Sequence, residues 1–327
     1  MSQIAVGVVG VGNMGLHHVE AYRRTPRATV EAVADVDEAR TRELAQRLGA
    51  QAFTDARQML ERTGVQAVSI CTNDERHVEP ALACFEAGRP VLLEKPVATT
   101  LADADRIIGA AEGAGTTLLI GHIVRFDPRY ADVQRRAEAG EFGTIEAVFA
   151  RRLNQVRSQQ VLRGRVSVLS FLGVHDFDYL CWLCGRPVHL HTESVAGVHR
   201  AAGYNIEDHT YTLVRFESGA IACVEVGWLL PDTHPCVADI RLDVTGSRGT
   251  AAIDLIPRDY ILCGQHGWQM PMLRHALDEQ IDHFLDCVEG TATPRITGAD
   301  GRLALAMSLA AQRSAAEGRI VTPGGDE

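Results

Sequence analysis

Apolar positions in the first 122 residues follow two alternating rhythms. Short apolar runs at 4–9, 30–34, 67–71, 91–93 and 117–120 are strand-sized and predict buried β-strands. Between them, helical spacing predicts α-helices over 13–24, 38–48, 78–87 and 102–114. Strands that are apolar throughout and separated by helices imply a doubly wound parallel sheet with crossover helices.

After Gly121 the rhythm changes. A strand is expected over 145–152 and a helix over 169–183, followed by runs at 211–216, 220–227, 240–245 and 250–254. Glu217-Ser218-Gly219 and Thr245-Gly246-Ser247 carry turn chemistry between these runs, which reads as an antiparallel meander. Helices over 272–289 and 300–317 complete the chain. The whole therefore reads as an N-terminal α/β domain, 1–122, and a C-terminal α+β domain, 123–327, with a large, mostly antiparallel open sheet. The last helix is allowed to pack back on the first domain.

Bulk properties remove function classes rather than add them. A chain of 327 residues exceeds one ordinary core, and 46% hydrophobic with 23% charged residues is a globular balance. No apolar stretch is long enough to span a bilayer, and MSQIAVGVVG has no basic region of a signal peptide. Eight cysteines without such a signal fit reduced thiols in the cytoplasm. A formal net charge of -10 opposes nucleic-acid binding, which needs a basic face.

Chemistry enters at Gly10-Val11-Gly12-Asn13-Met14-Gly15, a GxGxxG placed between the first strand and the first helix. In such a loop the first glycine permits the turn and the second lets backbone approach a pyrophosphate. The third allows close helix packing, and the helix N-terminus meets the phosphate charge. Asp35 lies 20 residues beyond Gly15 at the end of the second strand, where a carboxylate can bond a ribose 2'-hydroxyl. That is the Rossmann arrangement. Asp35 would repel a 2'-phosphate and no arginine follows in Val36-Asp37-Glu38, so NAD is expected over NADP.

Further segments share a pattern across almost the whole chain: CTNDERH at 71–77, LLEKPVA at 92–98, GHIVRFDPRY at 121–130 and GVHDFDYLCWLCG at 173–185. With GVGNMG and VADVD before them, the chain resembles the glucose–fructose oxidoreductase/inositol dehydrogenase family (Gfo/Idh/MocA). The resemblance implies that Lys95 of Glu94-Lys95-Pro96 lies near the nicotinamide and bonds the reacting oxygen. An ammonium there can polarise a carbonyl or stabilise an alkoxide. Pro96 keeps Lys95 out of the helical region and is compatible with a cis bond. By the same resemblance His175 accepts the proton in alcohol oxidation, and Asp178, three residues on, shares its helix face.

The resemblance also assigns cofactor contacts to Thr72, Asn73 and His77 and to the Glu94-Lys95 turn. His77 could equally serve packing at the start of its helix. Substrate donors are expected at Arg152, Asn154, Arg157, Trp228 and His234, each of which could equally be a surface or interface residue. A homodimer or homotetramer formed through one broad, apolar face of the C-terminal sheet is implied. One position departs: many relatives carry an aspartate four residues before the histidine, where this chain has Phe171.

Other motifs lead nowhere. Cys181-Trp182-Leu183-Cys184 is a CxxC with no second half-site, and neither His17-His18 nor His189-x-His191 has metal-ligand company, so no metal is expected. No serine nucleophile elbow occurs, and the Arg23-Arg24 and Arg135-Arg136 pairs are too small for a nucleic-acid patch. The expectation is an NAD-dependent dehydrogenase acting on a ring secondary alcohol or ketone of a small polyhydroxylated substrate, a cyclic polyol or sugar. Two alternatives stand beside it: redox-neutral glycoside cleavage by the same fold, and a non-catalytic NAD-binding regulator.

Overall fold

The structure, a computed structural model, describes residues 3–158, 162–234, 236–254, 260–264, 267–269 and 275–324. The chain divides into two compact units, Met1–Phe126 with Arg274–Arg302, and Asp127–Leu273 with Leu303–Glu327.

In the first unit β1 (Ile4–Val9), β2 (Ala28–Ala34), β3 (Gln51–Phe53), β4 (Ala67–Ile70), β5 (Val91–Leu93) and β6 (Leu118–Ile120) form one sheet. Its order is β3-β2-β1-β4-β5-β6 and every pairing is parallel. Val6, Val8, Val68, Ile70, Val91 and Leu92 are buried on both faces of it, as a covered parallel sheet requires. The crossovers are α1 (Asn13–Arg24), α2 (Glu38–Leu48), α3 (Ala56–Arg62), α4 (Val78–Glu86) and α5 (Leu101–Ala114). Strand order reverses between β1 and β4, which opens a crevice at the carboxyl ends of those strands.

β3 and α3 are additions to the sequence reading. Gln51 and Ala52 are exposed, so this edge strand has no apolar run to reveal it. α3 has only seven residues and is announced by its cap, where the Asp55 side chain accepts from the Gln58 N–H. The helix Ala276–Val288 also belongs to this unit. Arg27 bonds Asp286 at 2.6 Å and Glu289 at 2.8 Å, tying the start of β2 to that helix. The expected start of the helix at 272–274 lies outside the described residues.

The second unit is built on β7 (Ile145–Gln155), β8 (Pro187–Val195), β9 (His209–Phe216), β10 (Ile221–Leu230), β11 (Ala238–Gly246), β12 (Thr250–Asp254), β13 (Tyr260–Gly264) and β14 (Gly267–Gln269). The order is β14-β13-β12-β11-β7-β10-β9-β8. This corrects the meander: β7 inserts between β10 and β11, and it pairs with β10 in parallel. Local turns reveal only the β9–β10 and β11–β12 hairpins. The place of β7 is decided by burial, since Val148 and Ala150 line up with Ala222, Val224, Leu242 and Val244 on the covered face.

α6 (Pro128–Glu138) and α7 (Val174–Cys184) also belong to this unit. The single helix expected over 169–183 opens instead with a π-helical turn, Leu169–Gly173, before α7 begins. One turn of π-helix and one of α-helix look alike in an apolar pattern, and π-turns are frequent at functional sites. The open face of the sheet is mixed rather than broadly apolar. Leu213, Cys223 and Phe149 form an apolar row, but the next row holds Tyr211, Glu225 and Arg151. There Arg151 Nε bonds Glu225 Oε2 at 2.7 Å and the Tyr211 hydroxyl donates to Glu225 Oε1 at 3.0 Å.

Among the described residues no helix is long and apolar enough to cross a membrane, and no group of three or more His, Cys, Asp or Glu could hold a metal.

Candidate active site

The glycines of the loop after β1 have separate jobs. Gly10 sits at φ +87°, where side chains are strained, and a Cβ there would meet the Thr72 amide at 2.6 Å. At Gly15 a Cβ would lie 1.9 Å from the Gly10 carbonyl oxygen, so only glycine lets α1 start against the loop. Gly12 differs: its φ is an ordinary -73°, and a Cβ would meet no protein atom within 4 Å. The open space over Gly12 is a cradle that suits the close approach of a pyrophosphate to backbone.

Asp35 follows β2 and closes the loop from the side. The Val11 N–H donates to its Oδ2 at 2.7 Å, and the Asp37 N–H donates to its Oδ1 at 3.0 Å. A cleft of about 600 Å³ runs from Gly10 and Gly12 past Asp35 and Arg40 to Thr72 and Asn73. Its size, the bare backbone at Gly12 and the carboxylate at its rim fit a dinucleotide such as NAD. Asn13 and Met14 are exposed on the first turn of α1.

Thr72 and Asn73 stand after β4 in this cleft, but His77 does not face it. His77 is buried, with Nδ1 2.9 Å from the Pro96 carbonyl oxygen and Nε2 3.1 Å from the Thr72 carbonyl oxygen. Burial pushes its imidazole below its ordinary range, although both carbonyls oppose that. Both ring nitrogens thus lie against backbone carbonyls, and the neutral ring donates to one of them. The histidine brackets the loop after β4 to the turn after β5, which is the packing role rather than a cofactor contact.

Lys95 follows β5 and is half-buried, and its bond to Pro96 is cis. Glu94 was expected to touch cofactor. Instead it is buried, its Oε1 lies 3.0 Å from His18 Nε2, and its Oε2 accepts the Lys95 N–H at 3.2 Å. Burial works against a charge on His18, yet neighbouring Cys71 and Glu94 outweigh it and raise the imidazole to about 10. Burial also pushes the Cys71 thiol up, while the charge and hydrogen bond of His18 oppose that rise. Burial would raise Glu94 too, but hydrogen bonding and the His18 charge hold it below its ordinary value.

In the second unit His175 lies in the first turn of α7, directly after the π-turn, and is half-buried. Its neighbour Asp176 is buried and takes a bidentate pair from Arg152, Nε to Oδ2 at 2.8 Å and Nη2 to Oδ1 at 2.9 Å. Burial alone would lower the Arg152 guanidinium, but Asp176 more than compensates and keeps it charged. Arg152 was expected to meet substrate. It is instead a clamp between β7 and α7, because a buried guanidinium must be paired. Asp178 is fully buried on the same helix.

Trp228 is likewise held within its own unit. Its ring is fully buried, its Nε1–H donates to the Glu207 carbonyl at 3.1 Å, and it packs against Phe171 with centroids 5.6 Å apart. No polar edge remains for a substrate. The Phe171 position therefore belongs to an aromatic pair. Asn154 is half-buried on β7 and Arg157 is exposed just beyond it. His234 is half-buried, its Nδ1 2.9 Å from the Cys236 carbonyl oxygen.

The residues that sequence reasoning missed are the partners: His18 and Asp176. His18 carried a signal, since it sits one helical turn after Gly15 on the buried side of α1, but it was set aside as half of a His-His pair. Asp176 stands beside His175 in the motif at 173–185 and carries no local signal of its pairing with Arg152.

Comparison with known proteins gives the family and the fold. Residues 4–122 match the description "Oxidoreductase family, NAD-binding Rossmann fold", and 130–252 match "GFO/IDH/MocA C-terminal domain". Myo-inositol 2-dehydrogenase of Thermotoga maritima is 27% identical over 331 residues, 97% of each chain. Inositol 2-dehydrogenase 1 of Saccharopolyspora erythraea is 32% identical over 256 residues, 77% of this chain and 74% of its own. The crystal structure of scyllo-inositol dehydrogenase from Lactobacillus casei with bound NAD(H) and scyllo-inositol superposes with a TM-score of 0.87 at 18% identity. It covers 99% of this chain and 100% of its own, and it shares the fold.

Proposed function

This chain belongs to the Gfo/Idh/MocA family of oxidoreductases, and from that premise we propose that it oxidises a ring secondary alcohol of a cyclic polyol, or reduces the ketone, with an inositol as the first substrate to test. The observation that carries the reading is the position of Lys95. It follows β5 at the same carboxyl edge of the sheet as Gly10, Gly12 and Asp35, where ligands of such sheets bind. Relatives named for inositols over the full length of the chain support the substrate class.

In this reading NAD, when bound, supplies the hydride acceptor. The backbone at Gly12 and the N-terminus of α1 hold its phosphates, and Asp35 holds a ribose hydroxyl. The Lys95 ammonium donates to the reacting oxygen and steadies negative charge on it. The His175 imidazole takes the hydroxyl proton, and buried Asp178, one turn along α7, supports the charge it acquires. Phe171 offers no acid, so the proton path runs without a carboxylate at that place.

The open face of the second unit's sheet supports a homodimer or homotetramer. Tyr211, Leu213 and Ile221 expose about half of their surface there, beside a cavity of about 500 Å³ lined in part by Phe149 and His191. The free cysteines among the described residues fit a cytoplasmic, reducing compartment.

The test is purified protein with NAD and a panel of inositols, sugars and glycosides, following NADH absorbance with NADP in parallel. Turnover on an inositol or sugar with NAD is expected, and His175→Ala should lower kcat by roughly a hundredfold or more while NAD still binds. Tight NAD binding without turnover of any panel member, or full activity in His175→Ala, refutes the reading.

A further inference from the structure

Behind the cofactor loop, four carboxyl-end segments of the first unit converge on one buried point. His18 reaches it from α1, Cys71 from the end of β4, Glu94 from the end of β5, and Gly121 from the end of β6. His18 is fully buried and Glu94 nearly so, and the 3.0 Å contact between Nε2 and Oε1 joins them. The other carboxylate oxygen, Oε2, receives the Lys95 N–H at 3.2 Å. Gly121 leaves the room: a Cβ there would lie 3.0 Å from both Glu94 Cα and Glu94 Oε1. Because the buried pair needs good geometry to survive desolvation, it fixes where Glu94 can sit.

We propose that His18 is a positioning residue that acts through Glu94 to set the aim of Lys95, coupling the cofactor helix α1 to the turn that carries the ammonium. This rests on the reading of Lys95 given above. Burial explains why the device sits here. A carboxylate with no cation in this place would be expelled or protonated, and the Lys95 N–H would lose its acceptor. With His18 charged, Glu94 stays ionised and holds the backbone of the next residue. The same histidine lies one helical turn after Gly15, so the part of α1 that packs on the dinucleotide loop also braces the catalytic turn.

The test uses the full chain with three substitutions. His18→Gln keeps an N–H donor but removes the charge, His18→Ala removes both, and Gly121→Ala crowds Glu94 without altering any charge. Each is followed by calorimetry with NAD, by steady-state kinetics on whichever panel substrate turns over, and by amide hydrogen exchange without cofactor. The expected result for His18→Ala is a kcat about ten- to a hundredfold lower, with KM and NAD affinity near wild type, since a small misplacement of a reacting group costs about that much. His18→Gln should recover part of the loss and Gly121→Ala should reproduce part of it. In a Lys95→Ala background, His18→Ala should add nothing, because both act through one ammonium. Exchange at the Lys95 amide should quicken while β1 and β4 keep their protection.

Equal losses with and without Lys95, an unchanged kcat, or exchange rising uniformly over β1, β4 and β5 overturns the proposal and leaves His18 as ordinary core. Full activity in Lys95→Ala alone would instead remove the assigned role of Lys95. If no panel substrate turns over, the exchange pattern decides: faster exchange confined to the turn after β5 supports the brace, and any other pattern refutes it.

Discussion

Replacing Gly12 with alanine separates folding from cofactor binding in a loop where the two are usually entangled. The Gly12 backbone has φ -73°, and an added Cβ meets no protein atom within 4 Å, so the free protein can accept the methyl group without strain. Stiffening the unfolded chain favours alanine by about 0.4–1 kcal/mol. Against that, alanine is a poorer residue than glycine at the cap of α1, by roughly the same amount. The effects offset, and Tm without cofactor should stay within about 3 °C of wild type. NAD should suffer, because the methyl group fills the space that lets phosphate reach backbone N–H groups. Losing one charge-assisted hydrogen bond is about 1.5–3 kcal/mol, or roughly a ten- to hundredfold weaker Kd. Gly15→Ala is the control with the opposite signature. Its Cβ would sit 1.9 Å from the Gly10 carbonyl oxygen, so the fold itself must give, at roughly 3 kcal/mol and about 6–12 °C in Tm. Thermal unfolding without ligand and calorimetry with NAD measure the two quantities. An unchanged Kd in Gly12→Ala would refute the assignment of the cleft above it to the dinucleotide. A large fall in Tm without NAD would refute the claim that the space is open in the protein alone.

Three further outcomes follow from particular contacts. Asp35→Ser should narrow the preference for NAD over NADP in paired calorimetric titrations. It should also lower Tm by a few degrees, because Asp35 accepts the Val11 and Asp37 N–H groups. The His18–Glu94 pair predicts a pH dependence. The His18 value is raised from 6.5 to about 10, so its contribution to stability is complete below 6.5 and disappears as pH rises towards about 10. Glu94 is depressed from 4.5, so its contribution is present above 4.5 and lost as pH falls through its folded value. Denaturant midpoints should fall on the alkaline side in wild type and flatten in His18→Gln, and parallel curves would contradict the pairing. Arg152→Met leaves Asp176 buried without its cation and should cost about 3–5 kcal/mol in unfolding, whereas Arg152→Met with Asp176→Leu should recover much of it. Equal stability of the single variant and wild type would show that the clamp bears no weight.

Much of the first unit is legible because each of its signals is local. The glycines of 10–15, the acid at 35 and the apolar runs of β1, β4 and β5 each reflect a constraint that acts within a few residues. Edge strand β3 escapes because Gln51 and Ala52 face solvent and the buried Phe53 alone makes no apolar run. In the second unit the hairpins announce themselves through their turns. The parallel contact of β7 with β10 does not, since it joins segments far apart in the chain. The π-turn before α7 escapes for another reason: the pattern of apolar residues over five positions is the same for either winding.

Side-chain roles divide along the same line. Residue types at motif positions identify what chemistry is available: an ammonium at 95, an imidazole at 175, a bare backbone at 12. What occupies those groups is a matter of neighbours. The family resemblance offers Glu94, His77, Arg152 and Trp228 as ligand contacts, the last three beside packing, surface or interface roles, and each is held by a partner inside its own unit. Burial is the physical reason. A charged or hydrogen-bonding group withdrawn from water must be matched, and the match is supplied by whichever strand or helix folds against it. The sequence by itself determined the two-part architecture and the dinucleotide loop, because backbone conformation is written locally, and its resemblance to a known family implied the class of reaction. The tertiary structure alone decided which of the polar residues remain for a ligand and which are consumed in bracing the site, because that depends on distances between segments no local pattern records.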